Sequence, residues 1–194
     1  MAAGWAGRYE TISQTDDKEP VTATGGMSED QRRLVIVMGV SGCGKSTIAE
    51  GVAAAIGGRF FDGDPFHPQA NTDKMSRGEA LTDDDRWPWL TLVGQELARG
   101  EGDVVGACSA LKLSYRQHIT RMADAEVRFV HLNGTKQLIA DRMAARDGHF
   151  MPLSLLESQF AALEPPAGER GAVTVDISPD TGAVIAAAAR SLGP

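Results

Sequence analysis

Apolar and polar positions are arranged in two different ways along the chain, and the change comes near residue 32. Residues 1–31 carry Gly, Thr, Asp and Glu with few large apolar groups and no sustained period, which predicts a flexible extension outside the folded body. From Leu34 onward, short apolar runs alternate with stretches of helical period. Leu34–Met38 (LVIVM) is apolar throughout, as a strand buried on both faces of a sheet requires. Further strands are expected at 59–61, 103–108, 127–132 and 172–177. Helices are expected at Lys45–Ile56, ended by Gly57-Gly58, and near 87–99, 112–123, 135–146, 154–163 and 180–192. This alternation predicts an α/β domain over 32–194, with a mainly parallel sheet covered by helices.

Composition narrows the function. The 194 residues suffice for one domain, and 42% hydrophobic with 23% charged residues is ordinary for a globular chain. A net charge of -7 gives no global attraction for nucleic acid or an anionic membrane, so neither is an expected partner. Anionic ligands must be held by local clusters of Arg and Lys. No apolar segment reaches the roughly 18 residues that cross a bilayer, and the opening stretch lacks the basic and apolar regions of a signal peptide. Two cysteines without a CxxC fit a reducing compartment, and a cytoplasmic protein is expected.

The chemistry begins directly behind the first strand, at Gly39-Val40-Ser41-Gly42-Cys43-Gly44-Lys45-Ser46. This is the full G-x-x-x-x-G-K-[ST] phosphate loop, set between a strand and a helix. Its glycines let backbone N–H groups turn inward around phosphate oxygens, and the helix N-terminus adds its positive dipole end. Lys45 is placed to reach the β- and γ-phosphates, and the Ser46 hydroxyl to meet Mg²⁺. Switches, motors and kinases all share such a loop, so its surroundings must decide. No N-K-x-D guanine reader occurs, and the strand ending in Cys108-Ser109 carries no acid at its end.

Four clusters supply the rest. Asp62 and Asp64, in FFDGDPFHP, follow the second strand and emerge at the same sheet edge as the loop. One can organise the metal and the other accept a hydroxyl proton. In LTDDDRWPWL, Asp83, Asp84 and Asp85 suit a helix start, whereas Arg86 needs an anionic partner there, an aspartate or a substrate. Trp87 and Trp89 read as core or wall residues. In CSALKLSYRQ, Ser109 ends a strand, and Lys112 and Arg116 are spaced to share one helix face, where they could hold a carboxylate. In DRMAARDGHFMP, Arg142 and Arg146 share the same spacing before a Gly/Pro-flanked loop, as a lid over about 142–153 would. The histidines show no metal-ligand spacing, and only His67 is expected near a substrate.

Together these segments resemble the small phosphate-loop gluconokinases, relatives of shikimate and nucleoside monophosphate kinases. The resemblance runs from about Leu34 to the C-terminus and rests on MGVSGCGKST, FFDGDPFHPQANTDKMSRGEALTDDDRWPWL, CSALKLSYR, ARDGHFM and QFAALEPP. It implies a three-layer αβα P-loop kinase fold with a five-stranded parallel sheet and a mobile lid. It implies transfer of the ATP γ-phosphate to the 6-hydroxyl of D-gluconate, with Mg²⁺, in a homodimer. A shikimate-type or other small-metabolite kinase, or a non-catalytic nucleotide-binding regulator, is the alternative.

On this resemblance, Gly39, Val40, Ser41, Gly42, Cys43, Gly44, Lys45, Ser46, Thr47, Arg142 and Arg146 hold ATP. Asp64, Lys45 and Arg146 are catalytic, with Asp64 as base, and Ser46 and Asp62 serve the metal. Asp64, His67, Lys74, Arg86, Ser109, Lys112, Arg116 and Gln159 line the sugar-acid pocket. Residues 1–31 have no counterpart in the short members.

Overall fold

In the computed structural model, which describes residues 32–145 and 153–193, every residue of β1 (Leu34–Met38) is buried. Its side chains alternate between two cores. Val35 and Val37 pack in the core that also takes in residues of α1 (Lys45–Ile56) and α7 (Thr181–Ser191). Leu34, Ile36 and Met38 face the opposite way, into the core shared with α3 (Asp83–Ala98) and α4 (Leu113–Ala123). A strand with both faces covered cannot alternate apolar with polar, which explains its composition. Each such side chain contributes about 1.5–3 kcal/mol by burial.

β2 (Arg59–Asp62), β3 (Val104–Ala107), β4 (Val127–Asn133) and β5 (Ala172–Asp176) complete the described sheet, in the order β2-β3-β1-β4-β5. All neighbours are parallel, so every strand delivers its C-terminal end to one edge. This is the three-layer αβα kinase fold the sequence resemblance implies. The far end of β3 is closed by Asp103, whose carboxylate takes the Arg33 backbone N–H at 2.7 Å and its guanidinium at 2.8 and 2.6 Å. Asp103 therefore lies opposite the phosphate edge, where a metal-binding acid would be useless.

Two elements depart from expectation. A helix α2 (Gln69–Ser76), preceded by a 3₁₀ turn at Asp64–Phe66, occupies a stretch where no element is expected. Only Asn71 of α2 is buried, so no apolar stripe betrays it. Helix α3 begins at Asp83 rather than near 87, because Thr82 and Asp85 close a reciprocal capping box. Pro88 lies inside this helix. α5 (Lys136–Ala144) and α6 (Leu153–Ala162) fall within two residues of their expected ends. The extension at 1–31 and most of the expected lid, including 146–152, lie outside the described residues.

Candidate active site

The phosphate loop leaves β1 at Gly39 and enters α1 at Lys45. Its three glycines all take positive φ, 145° at Gly39, 80° at Gly42 and 97° at Gly44, a conformation that L side chains rarely adopt. Gly44 caps α1 without any side-chain hydrogen bond, so the N–H groups of the first turn face no capping side chain. Lys45 folds back, its Nζ donating to the Val40 carbonyl at 3.1 Å. Ser41 N–H donates to Gln159 Oε1 at 2.7 Å, which ties the loop to α6.

Ser46 Oγ donates to Asp62 Oδ2 at 2.6 Å, across from the start of α1 to the end of β2. Gly63 then turns the chain hard against β3: its N–H donates to the Ala107 carbonyl at 2.9 Å. A Cβ at Gly63 would stand 2.7 Å from that same carbonyl, so only glycine allows the approach. The Gly63 carbonyl in turn accepts from Trp89 Nε1 at 2.7 Å, and Asp64 N–H donates to Asp62 Oδ1 at 3.0 Å. The two carboxylates therefore separate, Asp62 toward Ser46 and Asp64 into an adjoining cleft.

That cleft, about 310 Å³, is lined by Asp64, His67, Arg86, Trp89, Ser109 and Gln159, with Ser41 of the loop at its border. Thr72, Met75, Leu81, Leu155 and Ser158 also line it. The His67 ring stacks on Trp89 at 3.9 Å between centroids. Asn71 donates to the Asp85 carbonyl at 2.7 Å, which orients its amide, and the same Nδ2 stands 3.4 Å from His67 Nδ1. A second cavity, about 440 Å³, opens on the other flank of the loop, between Gly42-Cys43-Gly44, Thr47, Arg142 and the turn at Ile177–Thr181. Arg142 is held there by the Ile177 carbonyl at 2.6 Å. One loop thus separates two sites, one beside the helix that follows it and one beside a carboxylate.

A protein-family profile described as AAA domain matches residues 34–166. The chain is 47% identical to the gluconokinase of Gluconobacter oxydans (strain 621H) over 147 residues, 74% of this chain and 82% of that one. It is 46% identical over 149 residues to the thermosensitive gluconokinase of Escherichia coli (strain K12), 75% and 79% of the two chains. The crystal structure of a gluconokinase from Sinorhizobium meliloti 1021 superposes with a TM-score of 0.77 at 46% identity, covering 83% of this chain and 93% of that one. This chain belongs to the gluconokinase family. A shikimate kinase from Aquifex aeolicus, at 13% identity and a TM-score of 0.55, shares the fold alone.

Within this gluconokinase frame the expected acceptor residues separate into three groups. Asp64, His67, Arg86, Ser109 and Gln159 do line the cleft. Arg86 donates to the Leu81 and Thr82 carbonyls, and among the described residues it forms no salt bridge with a carboxylate, so its guanidinium is not tied up in an ion pair at the cleft wall. Lys74 and Lys112 stand behind it, their ammonium groups held at 2.8 Å by Asp85 and Asp83 respectively. Asp83 and Asp85 are therefore partners of these lysines as well as helix-start acids. The Lys74 ammonium, seconded by Thr82, holds the Asp85 carboxyl at about 2.

Arg116 requires a correction. Expected in the pocket, it is 2% exposed and absent from the cleft lining, its guanidinium consumed by Glu169 and backbone carbonyls. Arg146, expected over the phosphates, lies outside the described residues. Sequence reasoning missed Asn71 and the α2 residues Thr72 and Met75; only the helix itself would have pointed to them.

The site's electrostatics follow from its concavity. Asp64 is open to solvent on one side yet walled by protein on the others, and this desolvation pushes its carboxyl above the ordinary value. Lys45 opposes that rise and Asp62 reinforces it. Burial likewise pushes up the thiols of Cys43, inside the loop, and Cys108, the latter to about 12.

Burial, aided by the Arg86 charge, lowers His67 to about 4, so the ring is neutral at pH 7. The unfolded imidazole titrates near 6.5, so as pH falls from there toward 4 the unfolded chain gains a proton the folded one refuses. Stability fully present above 6.5 is thus lost progressively over that interval. His67→Gln should lose less stability between pH 7 and pH 5 than the wild type, read from urea midpoints. Identical losses in both proteins would mean that His67 is not held neutral.

Proposed function

We propose that this protein transfers the γ-phosphoryl group of ATP to the 6-hydroxyl of D-gluconate, giving 6-phospho-D-gluconate and ADP. The observation that carries the reading is Asp64: a carboxylate with a raised pKa, on the wall of an acceptor-sized cleft that also borders the phosphate loop. The acceptor hydroxyl oxygen forms a bond to the γ-phosphorus as the bond from that phosphorus to the bridging oxygen breaks. Asp64 takes the hydroxyl proton, and ADP leaves. Lys45 leaves the Val40 carbonyl, a weak neutral partner, for the phosphates, and the loop N–H groups face the same oxygens. Arg142 adds charge from the nucleotide side, and Arg146 is assigned the same role.

At the other end of the acceptor, Arg86 is the cation on the cleft wall suited to a sugar-acid carboxylate, with Lys74 and Lys112 behind it. His67, Ser109, Ser158 and Gln159 offer polar groups for the hydroxyls between. Ser46 and Asp62 would hold Mg²⁺. The fit is chemical: two hard oxygens suit a cation that keeps water and takes its remaining ligands from phosphate. Among the described residues no group of three or more His, Cys, Asp or Glu could hold a metal alone. When bound, Mg²⁺ neutralises charge on the phosphates.

The reading includes a kinase unit over 32–194 with residues 1–31 outside it, a homodimer, and a cytoplasmic site where ATP is supplied; among the described residues no helix is long and apolar enough to cross a membrane. The test is ADP release with gluconate, other aldonates, shikimate and nucleoside monophosphates as acceptors. Gluconate is expected to give the highest kcat/KM. No gluconate-dependent turnover would overturn the assignment.

A further inference from the structure

Each of the five N–H groups of Arg116 has an acceptor. Nε donates to Glu169 Oε2 at 2.8 Å, and Nη1 to the carbonyls of Ala110 and Leu111 at 2.9 and 3.1 Å. Nη2 donates to the Glu164 carbonyl at 3.1 Å and to the second Glu169 oxygen. Three of these five acceptors are backbone carbonyls, from two segments more than forty residues apart. The segments are also joined directly: Glu164 N–H donates to the Leu111 carbonyl at 2.9 Å, and Leu113 N–H to Glu164 Oε2 at 2.6 Å.

Each segment leads into one wall of the acceptor cleft. Ala110 follows Ser109, and residues 163–169 follow α6, which presents Ser158 and Gln159. Ala110 holds φ 41°, in the left-handed region that alanine disfavours, so this turn needs an outside tie to keep its shape. Gln159 also grips the phosphate loop through Ser41 N–H, so the position of α6 matters to both cleft walls.

We propose that Arg116 is a positioning residue for the acceptor: with Glu169 it bolts the β3–α4 loop to the chain leaving α6, and so sets the separation of Ser109 from Ser158 and Gln159. A lysine could not do this, since one ammonium cannot serve five acceptors spread around a planar fork. The inference rests on the acceptor cleft assigned above. The experiment therefore uses whichever acceptor the wild type turns over, gluconate by expectation. A wrong acceptor then shows in the wild type, whereas a wrong role for Arg116 shows in the ratio of variant to wild type.

Arg116→Lys, which strips buried carbonyls of their donors, and Glu169→Gln, which sets an amide NH₂ against the guanidinium where a carboxylate oxygen accepted, are each expected to raise the acceptor KM about tenfold or more. The Kd for ATP should stay within about twofold of the wild type, since the nucleotide cavity contains none of these residues. Adding Ala110→Gly to Arg116→Lys should recover part of the acceptor KM, because glycine holds a left-handed turn without the tie. A merely structural ion pair would lower Tm and leave the ratio of acceptor KM to ATP Kd unchanged in both single variants. That result, or an equal loss of acceptor and ATP binding, overturns the proposal. Should Arg116→Lys fail to fold, Glu169→Gln alone decides, since it keeps the side-chain shape and all three carbonyl bonds.

Discussion

Asparagine in place of Asp64 is expected to lower kcat by about 10²–10⁴-fold, the usual worth of a positioned base, while ATP affinity stays unchanged. Asp64 borders the acceptor cleft and is absent from the nucleotide cavity, and the Ser46–Asp62 pair does not depend on its charge. An amide of the same shape leaves the fold intact but cannot accept the hydroxyl proton. The sign of the pH dependence is also set. Protonating Asp64 removes the base, so the wild-type rate falls as pH drops through a carboxyl pKa raised by desolvation and by Asp62. That acidic limb should lie above the ordinary carboxylate range and vanish from the residual rate of Asp64→Asn. A variant retaining more than about a tenth of the wild-type kcat would transfer the role of base elsewhere, with Asp62 the first candidate.

The second large effect concerns Lys45. Lys45→Met is expected to lower kcat by about 10²–10³-fold, as loss of one charged transition-state contact does elsewhere. Its unbranched stem suits the first turn of α1, and among the described residues the side chain's hydrogen bond is a single 3.1 Å contact to the Val40 carbonyl. ATP affinity should fall less than kcat, because charge accumulates on the transferring group beyond the ground state. Single-turnover rates combined with calorimetric ATP titration separate the two. Equal losses in both would reduce Lys45 to a simple binding residue.

How far the sequence carried this reading depended on whether the signal was local. The strands were legible because burial on both faces forces continuous apolar runs, and β1 is the clearest case. The phosphate loop was legible because glycine at three positive-φ positions leaves a fixed spacing. The Asp-Gly-Asp turn was legible as a pair of acids at the sheet edge, but the reason for Gly63 was not: it is the Ala107 carbonyl on another strand. α2 escaped because a helix burying only Asn71 has no apolar period to display. Arg116 was misplaced for a related reason. Its spacing from Lys112 is the same whether the pair faces solvent or core, and the partner that decides, Glu169, lies 53 residues away. Lys74 and Lys112 were expected to line the pocket, but their pairing with Asp85 and Asp83 depends on α3 starting at Asp83, four residues before the expected first turn.

The buried cysteines bear on how such an enzyme survives oxidants. Peroxide attacks the thiolate and needs access to it, and neither condition is met at Cys43 or Cys108, which burial keeps protonated under packed side chains. A sulfenic or sulfinic acid at Cys43 would add bulk and negative charge to the very loop that must close around phosphate. With the sulfur protonated and covered, Cys43 is shielded from the oxidation that would silence an exposed low-pKa cysteine in the same loop.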